Sequence, residues 1–472
     1  MKSALEPQTS HQTLHPLGAQ QQLIWQLHEQ TSQNWIYHVR FSARIHSELD
    51  VRALQRACQT LVERHEILRT TYAVIDGQPW QQIHEDVEVD FEEKDASDWS
   101  WEQLDREVTQ AFRHPFDLAR ESMLRVHLFP RSTCDFILVL VSHIIAVDKR
   151  SWSLLIDELR LSYLIETNPV ETNQRASGLP RPERQYTDFV SWQKSLLESP
   201  KGERHSHYWQ SQLGSDLPKL NLSREKPHPE IATHESAFYK SQLDQELTDR
   251  IKAVAKTEGA TLYMVLLAAF FVLLYHYTGQ EDIIVGSLAS GRTRSEFLTV
   301  VGNLCNRIVL RADCSGNPSF KTFLTQVRQT VMGALLHQDY PYSVLKDKLF
   351  EKSELGGRQI YQVLFNMPEP KTPSANRLSP FFVPQETQVR VDFAGLELEP
   401  FFLPTRMSAA LDLGLRVSEI EGSLVCLWSY KTELFSARAI AKMAENYQTL
   451  LTGILANSTQ PISTLSSVIP IS

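Results

Sequence analysis

The segment spanning residues 135–161, DFILVLVSHIIAVDKRSWSLLIDELRL, constrains the fold of this chain more than any other stretch. Residues 136–141 form a continuous apolar run, which is too short for a helix and suits a central strand covered on both faces. After a polar turn, Ser151 is predicted to cap a helix whose apolar residues recur at helical spacing. The pattern predicts a buried strand, a turn and a helix within an α/β layer.

This strand is predicted to end at Ser142 and His143, with Asp148 in the following turn. A titratable histidine at the end of a rigid strand is well placed for proton transfer. A histidine beside an apolar run is, however, more often a hydrogen-bonded core residue than a catalyst. The residues alone leave both interpretations open.

The segment SHIIAVDKRS resembles the HHxxxDGxS core motif of the condensation-domain superfamily of nonribosomal peptide synthetases. Other segments resemble further signatures of that family, in the family's order along the chain. They are LGAQQQLIWQL at 17–27, RHEILRTTY at 64–72, YTDFVSW at 186–192, VGNLCNRIVLR at 301–311 and HQDYPY at 337–342. Because these segments span most of the chain, the resemblance covers nearly its whole length.

The resemblance implies an α/β fold of two lobes like chloramphenicol acetyltransferase, forming a V-shaped pseudo-dimer with the core motif at their interface. We expect an N-terminal lobe at 1–180, a connecting helix and linker at 181–235, and a C-terminal lobe at 236–472. Carrier proteins would bring substrates on phosphopantetheine arms. The domain itself is expected to bind no cofactor and no metal.

The core motif departs from the family pattern. In an ungapped alignment His143 takes the first histidine position, and Ile144 takes the second, which the family uses for catalysis. Lys149 stands where glycine is usual. The other alignment pairs Ser142 and His143 with the two histidines but inserts one residue before Asp148. We favour the ungapped alignment, because an insertion in a tight turn would re-aim its side chains. Isoleucine then occupies the catalytic position and cannot accept a proton.

Three further residues carry expectations. Asp148 needs a cation if it is buried, and Arg69 is the predicted partner, in a structural ion pair with no part in proton transfer. Asn306 matches a position that the family keeps for structure, although Leu304 and Cys305 replace its usual phenylalanine and valine. The HQDYPY segment is predicted to end a helix, with Pro341 stopping it.

The leading functional hypothesis is a divergent, non-condensing domain, such as an interface-type member of the superfamily. It would dock carrier proteins and recruit a tailoring enzyme, such as an amino-acid β-hydroxylase or oxygenase, to a carrier-bound aminoacyl group. The alternative is an active condensation domain, forming an amide or ester between two carrier-bound substrates with His143 in the catalytic position. A third hypothesis is a free-standing acyltransferase that uses a soluble acyl thioester.

Composition limits the remaining function classes. An apolar content of 42% over 472 residues is enough for sizeable cores, and the net charge of −9 has no long block of like charge. We therefore expect neither nucleic-acid nor membrane binding. The five scattered cysteines are typical of reduced, cytosolic thiols. The apolar run 262–275 is too short to cross a bilayer and predicts a buried helix. Residues 463–472 resemble a linker to a following domain, which favours a segment of a synthetase.

Overall fold

The computed structural model describes residues 13–30, 34–168, 179–214, 216–222, 236–350, 359–368, 378–383, 389–402 and 411–465. Contacts divide the chain into two compact α/β units. The first contains residues 1–198, 290–305 and 370–405, and the second contains 199–289, 306–369 and 406–472. The two predicted α/β lobes are thus present as units. The segments 290–305 and 370–405 come late in the chain but pack in the first unit, which a contiguous division of the sequence does not anticipate.

Within the described ranges, the first unit is built on two sheets and five α-helices, labelled in chain order. Its strands are β1 (Thr13–Pro16), β2 (His38–Ile45), β3 (Thr70–Ile75), β4 (Gln78–Ile83), β5 (Asp90–Glu93), β6 (Arg125–Ser132), β7 (Asp135–His143), β12 (Val391–Phe393) and β13 (Leu396–Pro400). Its helices are α1 (Ala19–Glu29), α2 (Val51–Arg64), α3 (Trp101–Arg113), α4 (Lys149–Thr167) and α5 (Tyr186–Leu197).

Strand β7 lies inside the main sheet, whose order is β12-β13-β2-β7-β6-β5. It pairs antiparallel with β2 on one side and β6 on the other, and its residues from Phe136 to His143 are buried. A continuous apolar run suits this position because both faces of the strand are covered. The predicted central strand is therefore present, with His143 as its last residue.

A smaller three-stranded sheet has the order β1-β4-β3. Strands β3 and β4 form a hairpin whose turn contains Asp76 and Gly77, both with positive φ. Strand β1 pairs antiparallel with the other edge of β4. Both β1 and β3 are therefore edge strands of this sheet.

The second unit has a six-stranded sheet of order β10-β9-β11-β14-β15-β8. Its strands are β8 (Ser236–Leu243), β9 (Asp282–Ala289), β10 (Asn306–Asp313), β11 (Val363–Asn366), β14 (Leu413–Ile420) and β15 (Ser423–Lys431). Its helices are α6 (Pro200–Leu213), α7 (Gln245–Thr257), α8 (Leu262–Thr278), α9 (Phe320–Leu336), α10 (Tyr342–Leu349) and α11 (Ala437–Ala456).

Helix α8 forms the core of the second unit, and its residues from Met264 to Leu274 are all buried. This confirms the buried helix predicted from the apolar run. No single helix in the described ranges is long and apolar enough to cross a bilayer, although α7 and α8 pass that test together while meeting at 102°. The predicted loop at 223–233, and residues 169–178 of the loop predicted before it, lie outside the described residues.

The segment 290–305 begins with a tight turn at Gly291. Its φ is +66°, and a Cβ built on it would lie 1.8 Å from the carbonyl oxygen of Leu304. Glycine is required here for two reasons, because the backbone is left-handed and because the chain passes so close to it.

Replacement of Gly291 by alanine should therefore destabilise the protein more than replacement of Gly77. Gly77→Ala meets only the cost of a left-handed alanine, about 1 kcal/mol, because its φ is +74° and no atom of the described residues lies within 4 Å of the added carbon. Gly291→Ala adds overpacking, which costs roughly 1–3 kcal/mol more. Urea titrations of both variants measure the difference, and equal losses of stability would contradict the close approach.

Candidate functional site

The side chain of His143 lies in a closed aromatic cluster within the first unit. Its ring is fully buried. The centroids of four rings lie between 5.1 and 6.1 Å from its own, and they belong to His28, His38, Tyr37 and Phe116. Because β2 and β7 pair with His38 opposite His143, the strand register brings two of these imidazoles together.

One hydrogen bond determines the tautomer of His143. The backbone N–H of Ile145 donates to Nδ1 of His143 at 3.2 Å. A backbone N–H can only donate, so Nδ1 carries the lone pair and the proton of the neutral ring is on Nε2. Nε2 is buried and has no hydrogen-bond partner among the described residues. In this geometry neither ring nitrogen of His143 can accept a further proton from a substrate.

His38 has the opposite tautomer. Its Nδ1 lies 2.7 Å from the carbonyl oxygen of Phe112, and a carbonyl can only accept, so Nδ1 carries the proton. Burial is the main cause that lowers the pKa of His38 to about 4, with Arg125 and the neighbouring His28 acting in the same direction. His38 is therefore neutral at neutral pH.

Burial also lowers the pKa of His143 well below its usual value of 6.5, and the nearby His28, His38 and Arg125 lower it further. A proton added at Nδ1 would also point at the N–H of Ile145 and break that hydrogen bond. The cluster therefore holds His143 as a neutral imidazole away from solvent. This is the bonding of a core histidine.

Ile144 differs from His143 in being only partly buried. Its N–H donates to the carbonyl of Tyr37 at 2.8 Å, and its carbonyl accepts from Nδ2 of Asn303 at 2.8 Å. Both backbone groups are satisfied, so its position is fixed. The side chain packs against the core of the first unit and offers only hydrocarbon.

Asp148 is paired with Arg292, and the predicted partner Arg69 is wrong. Nη1 of Arg292 donates to Asp148 Oδ2 at 2.8 Å and Nη2 donates to Oδ1 at 3.2 Å, with both side chains buried. Arg69 instead donates to the carbonyl of His84 and lies 4.0 Å from Glu66. The error arose because Arg292 follows the glycine turn of the segment 290–305, far from Asp148 in sequence but adjacent in space.

The Asp148 carboxylate also accepts from three backbone N–H groups, those of Ser151, Leu304 and Cys305, at 2.7 to 3.1 Å. Asp148 is thus the N-cap of α4, and the prediction that Ser151 caps this helix is wrong. Ser151 lies in the first turn of the helix, where its hydroxyl donates to the carbonyl of Gly302 and accepts from Nη2 of Arg292. Ser142 is also buried, and its hydroxyl donates to the carbonyl of Met123.

Asn306 belongs to the second unit and has a structural bonding pattern. Its Nδ2 donates to the carbonyls of Gln338 and Tyr340, and its Oδ1 accepts from the N–H of Tyr342. It thereby fixes the turn between α9 and α10. Pro341 is the N-cap of α10, so the prediction that it stops a helix is corrected: α9 already ends at Leu336.

The sequence reasoning missed His28, His38, Asn303 and Arg292. His38 carried a usable signal, because it is a polar residue at the start of a strand predicted to pair in the same layer. Asn303 and Arg292 carried none, since their contacts join segments that are more than 140 residues apart. In the described part of the chain no group of three potential metal ligands comes together.

The arrangement of this site, on this fold, matches one family. The family model of the condensation domain matches residues 11–470. The chain belongs to the condensation-domain family. A linear gramicidin synthase protein of Brevibacillus parabrevis is 33% identical over 458 residues, covering 96% of this chain and 6% of that synthetase. The chain therefore spans a small part of the length of such relatives. Interaction with carrier proteins is inherent to the family.

Solved structures support the same fold. The four-domain nonribosomal peptide synthetase holo-AB3403, bound to AMP and glycine, matches with a TM-score of 0.84 and 19% identity, covering 99% of this chain and 34% of that one. The complex of the X-domain and OxyB from teicoplanin biosynthesis matches with a TM-score of 0.79 and 22% identity, covering 100% and 99% of the two chains. At these identities the likeness shows the fold alone.

Loss of the Arg292 side-chain charge should strongly destabilise this condensation domain. Arg292→Met leaves the Asp148 carboxylate buried without its cation, which costs about 3–5 kcal/mol. Arg69→Met, the matched control, removes a longer and partly exposed pair and should cost about 1 kcal/mol or less. The free energy of unfolding, measured by urea titration, compares the two. Equal effects would contradict the assigned partner.

The histidine cluster should make stability depend on pH. Between the folded pKa of His38, about 4, and its usual value of 6.5, the unfolded chain binds a proton that the folded chain does not. Stability is therefore complete above pH 6.5 and falls with decreasing pH, by about 1.4 kcal/mol per pH unit for each such histidine.

In the variant His38→Asn the amide can still donate to the carbonyl of Phe112, but it does not titrate. Its stability between about pH 4.5 and pH 6.5 should fall less steeply than that of the parent protein. Unfolding free energies measured at several pH values give the two slopes, and parallel slopes would contradict a neutral buried His38.

Proposed function

We propose that this chain is a divergent condensation-family domain that does not condense. It docks carrier proteins and recruits a tailoring enzyme, such as an amino-acid β-hydroxylase or oxygenase, to a carrier-bound aminoacyl group. The observation that carries the proposal is the state of the core motif. His143 has no lone pair to offer, and Ile144 presents hydrocarbon at the position that the family uses for catalysis.

The size of the missing contribution supports a change of role. A positioned general base typically contributes about 10²- to 10⁴-fold to a rate. Holding two reactants together can contribute more, so a domain without the base would still be a slow condensing enzyme at best. Its fold and its relation to carrier proteins remain useful for bringing a carrier and a second protein together.

The recruitment part of the proposal is supported by analogy of fold. A domain with a similar fold, the teicoplanin X-domain, is known in complex with OxyB. That complex illustrates that a domain of this architecture can serve as a binding platform for another protein. The partner proposed for this chain is defined by its chemistry, an enzyme that modifies an aminoacyl group held on a carrier.

The alternative is an active condensation domain that forms an amide or ester with His143 in the catalytic position. It requires the ring of His143 to leave the cluster, to give up the hydrogen bond from Ile145 and to expose a lone pair. Each of these steps opposes the burial that lowers its pKa.

Condensation assays with acyl- and aminoacyl-loaded carriers test the proposal. We expect no amide product above the background without the domain, for the parent protein and for His143→Ala alike, because neither contains an available base. Ile144→His returns an imidazole to the partly buried position and is expected to raise product formation by roughly 10²-fold. Intact-protein mass spectrometry of the carriers measures the product.

Two further measurements complete this test. Circular dichroism of each variant establishes that it is folded, and turnover of a soluble acyl thioester without carriers tests the acyltransferase hypothesis. Efficient product formation by the parent protein that disappears in His143→Ala would overturn the proposal and favour the active enzyme.

A further inference from the structure

The small sheet of the first unit presents an apolar face to solvent. The strand register places five apolar side chains on this side, which we call the hairpin face: Leu14 and Pro16 of β1, Trp80 of β4, and Ala73 and Ile75 of β3. Trp80 lies at the centre, directly opposite both Pro16 and Ala73. Leu14 is 44% exposed and Ile75 is 37% exposed, while Trp80 is half-buried.

The composition of this sheet is unusual for a surface in contact with water. The strands β1, β3 and β4 contain no lysine, arginine, aspartate or glutamate, and the polar residues on the same side, Thr71, Gln78 and Gln82, are neutral. A solvent-facing sheet commonly alternates apolar residues with charged or polar ones. Depletion of charge around an aromatic residue is instead typical of the centre of a protein–protein interface. The hairpin face therefore has the composition of a contact surface.

The ends of the sheet carry negative charge. Asp76 lies exposed in the β3–β4 turn, and the exposed Glu85, Asp86 and Glu88 follow β4 at the other end. The nearby cation Arg69 has only 16% of its side chain exposed, and it lies against Glu66. The face is thus an uncharged apolar centre with carboxylates at both ends.

The charge pattern selects among possible occupants. A second copy of this chain would bring carboxylates against carboxylates, in a protein whose net charge is already −9. An anionic membrane surface would be repelled in the same way. A protein surface with an apolar centre and lysine or arginine at its rim would match both the centre and the ends of the face.

We propose that the hairpin face binds a folded partner protein through an apolar contact surface rimmed by lysine or arginine. The identification of that partner as the tailoring enzyme rests on the proposed function. The position of the face and the charge of its partner rest on the strand register, the exposure and the flanking carboxylates.

Adjacent residues of β3 provide a matched pair of variants. Ile75 lies on the hairpin face, whereas its neighbour Val74, which is 60% exposed, points to the opposite side of the strand. Ile75→Glu and Val74→Glu therefore introduce the same charge one residue apart, and only the first lies in the proposed interface. Leu14→Glu provides a second change on the face from another strand.

Binding is measured by biolayer interferometry on the full chain, with two probes. One probe is the purified hydroxylase or oxygenase encoded beside this chain, and the other is the holo-form of the neighbouring carrier protein. We expect the enzyme to bind, with affinity about tenfold or more weaker for Ile75→Glu and for Leu14→Glu, and within about twofold of the parent for Val74→Glu. The affinity of the parent protein should decrease as salt is raised from about 50 to 300 mM.

The outcomes separate this inference from the proposed function. Enzyme binding that is equally affected, or unaffected, by Ile75→Glu and Val74→Glu would overturn the inference and leave the proposed function standing. Binding of the carrier alone, lost in Ile75→Glu and retained in Val74→Glu, would support the face and overturn the recruitment of an enzyme. No binding of either probe to the parent protein would overturn both.

Discussion

The buried carboxylate of Asp148 is the interaction on which the core motif depends. It accepts hydrogen bonds from the guanidinium of Arg292 and from three backbone N–H groups, two of which belong to the segment 290–305. An unpaired carboxylate could not be buried here, so these contacts form together. By capping α4 and holding that segment, Asp148 fixes the turn after β7 and therefore the position of the residues that the family uses for chemistry.

Within that fixed turn, successive residues have different environments. His143 ends β7 with its ring among other aromatic rings, and the backbone of Ile145 donates to it. Ile144 is partly buried and held through its backbone by Tyr37 and Asn303. The scaffold of a condensation domain is therefore intact around a position that lacks a proton acceptor. An intact scaffold with altered chemistry is what a platform requires, because docking uses the outer surface and not the motif.

Much of the architecture could be predicted from the sequence, and the reason is local. The strand β7, the Asp50-capped helix α2 and the apolar helix α8 each follow from a pattern within one short segment. The predicted partner of Asp148 failed because ion pairing depends on which segments meet in space. Asn303 and Arg292 reach the motif across a long sequence separation, and no periodicity records such a contact.

The chemical state of His143 was beyond sequence reasoning for the same cause. The motif located the histidine at a strand end, but its tautomer depends on a backbone N–H two residues later and on rings contributed by α1 and β2. Whether such a histidine is a base or a core residue is decided by these neighbours. Here they leave it neutral and enclosed.

The most direct test of this account is nitrogen-15 NMR of the histidine side chains in the full chain. The account predicts that His143 has its proton on Nε2, that it stays neutral as the pH is lowered through 6.5, and that its N–H exchanges slowly with water. A His143 ring that titrates near its ordinary pKa and exchanges rapidly with solvent would contradict the central claim, because such a ring could act as the base of a condensing enzyme.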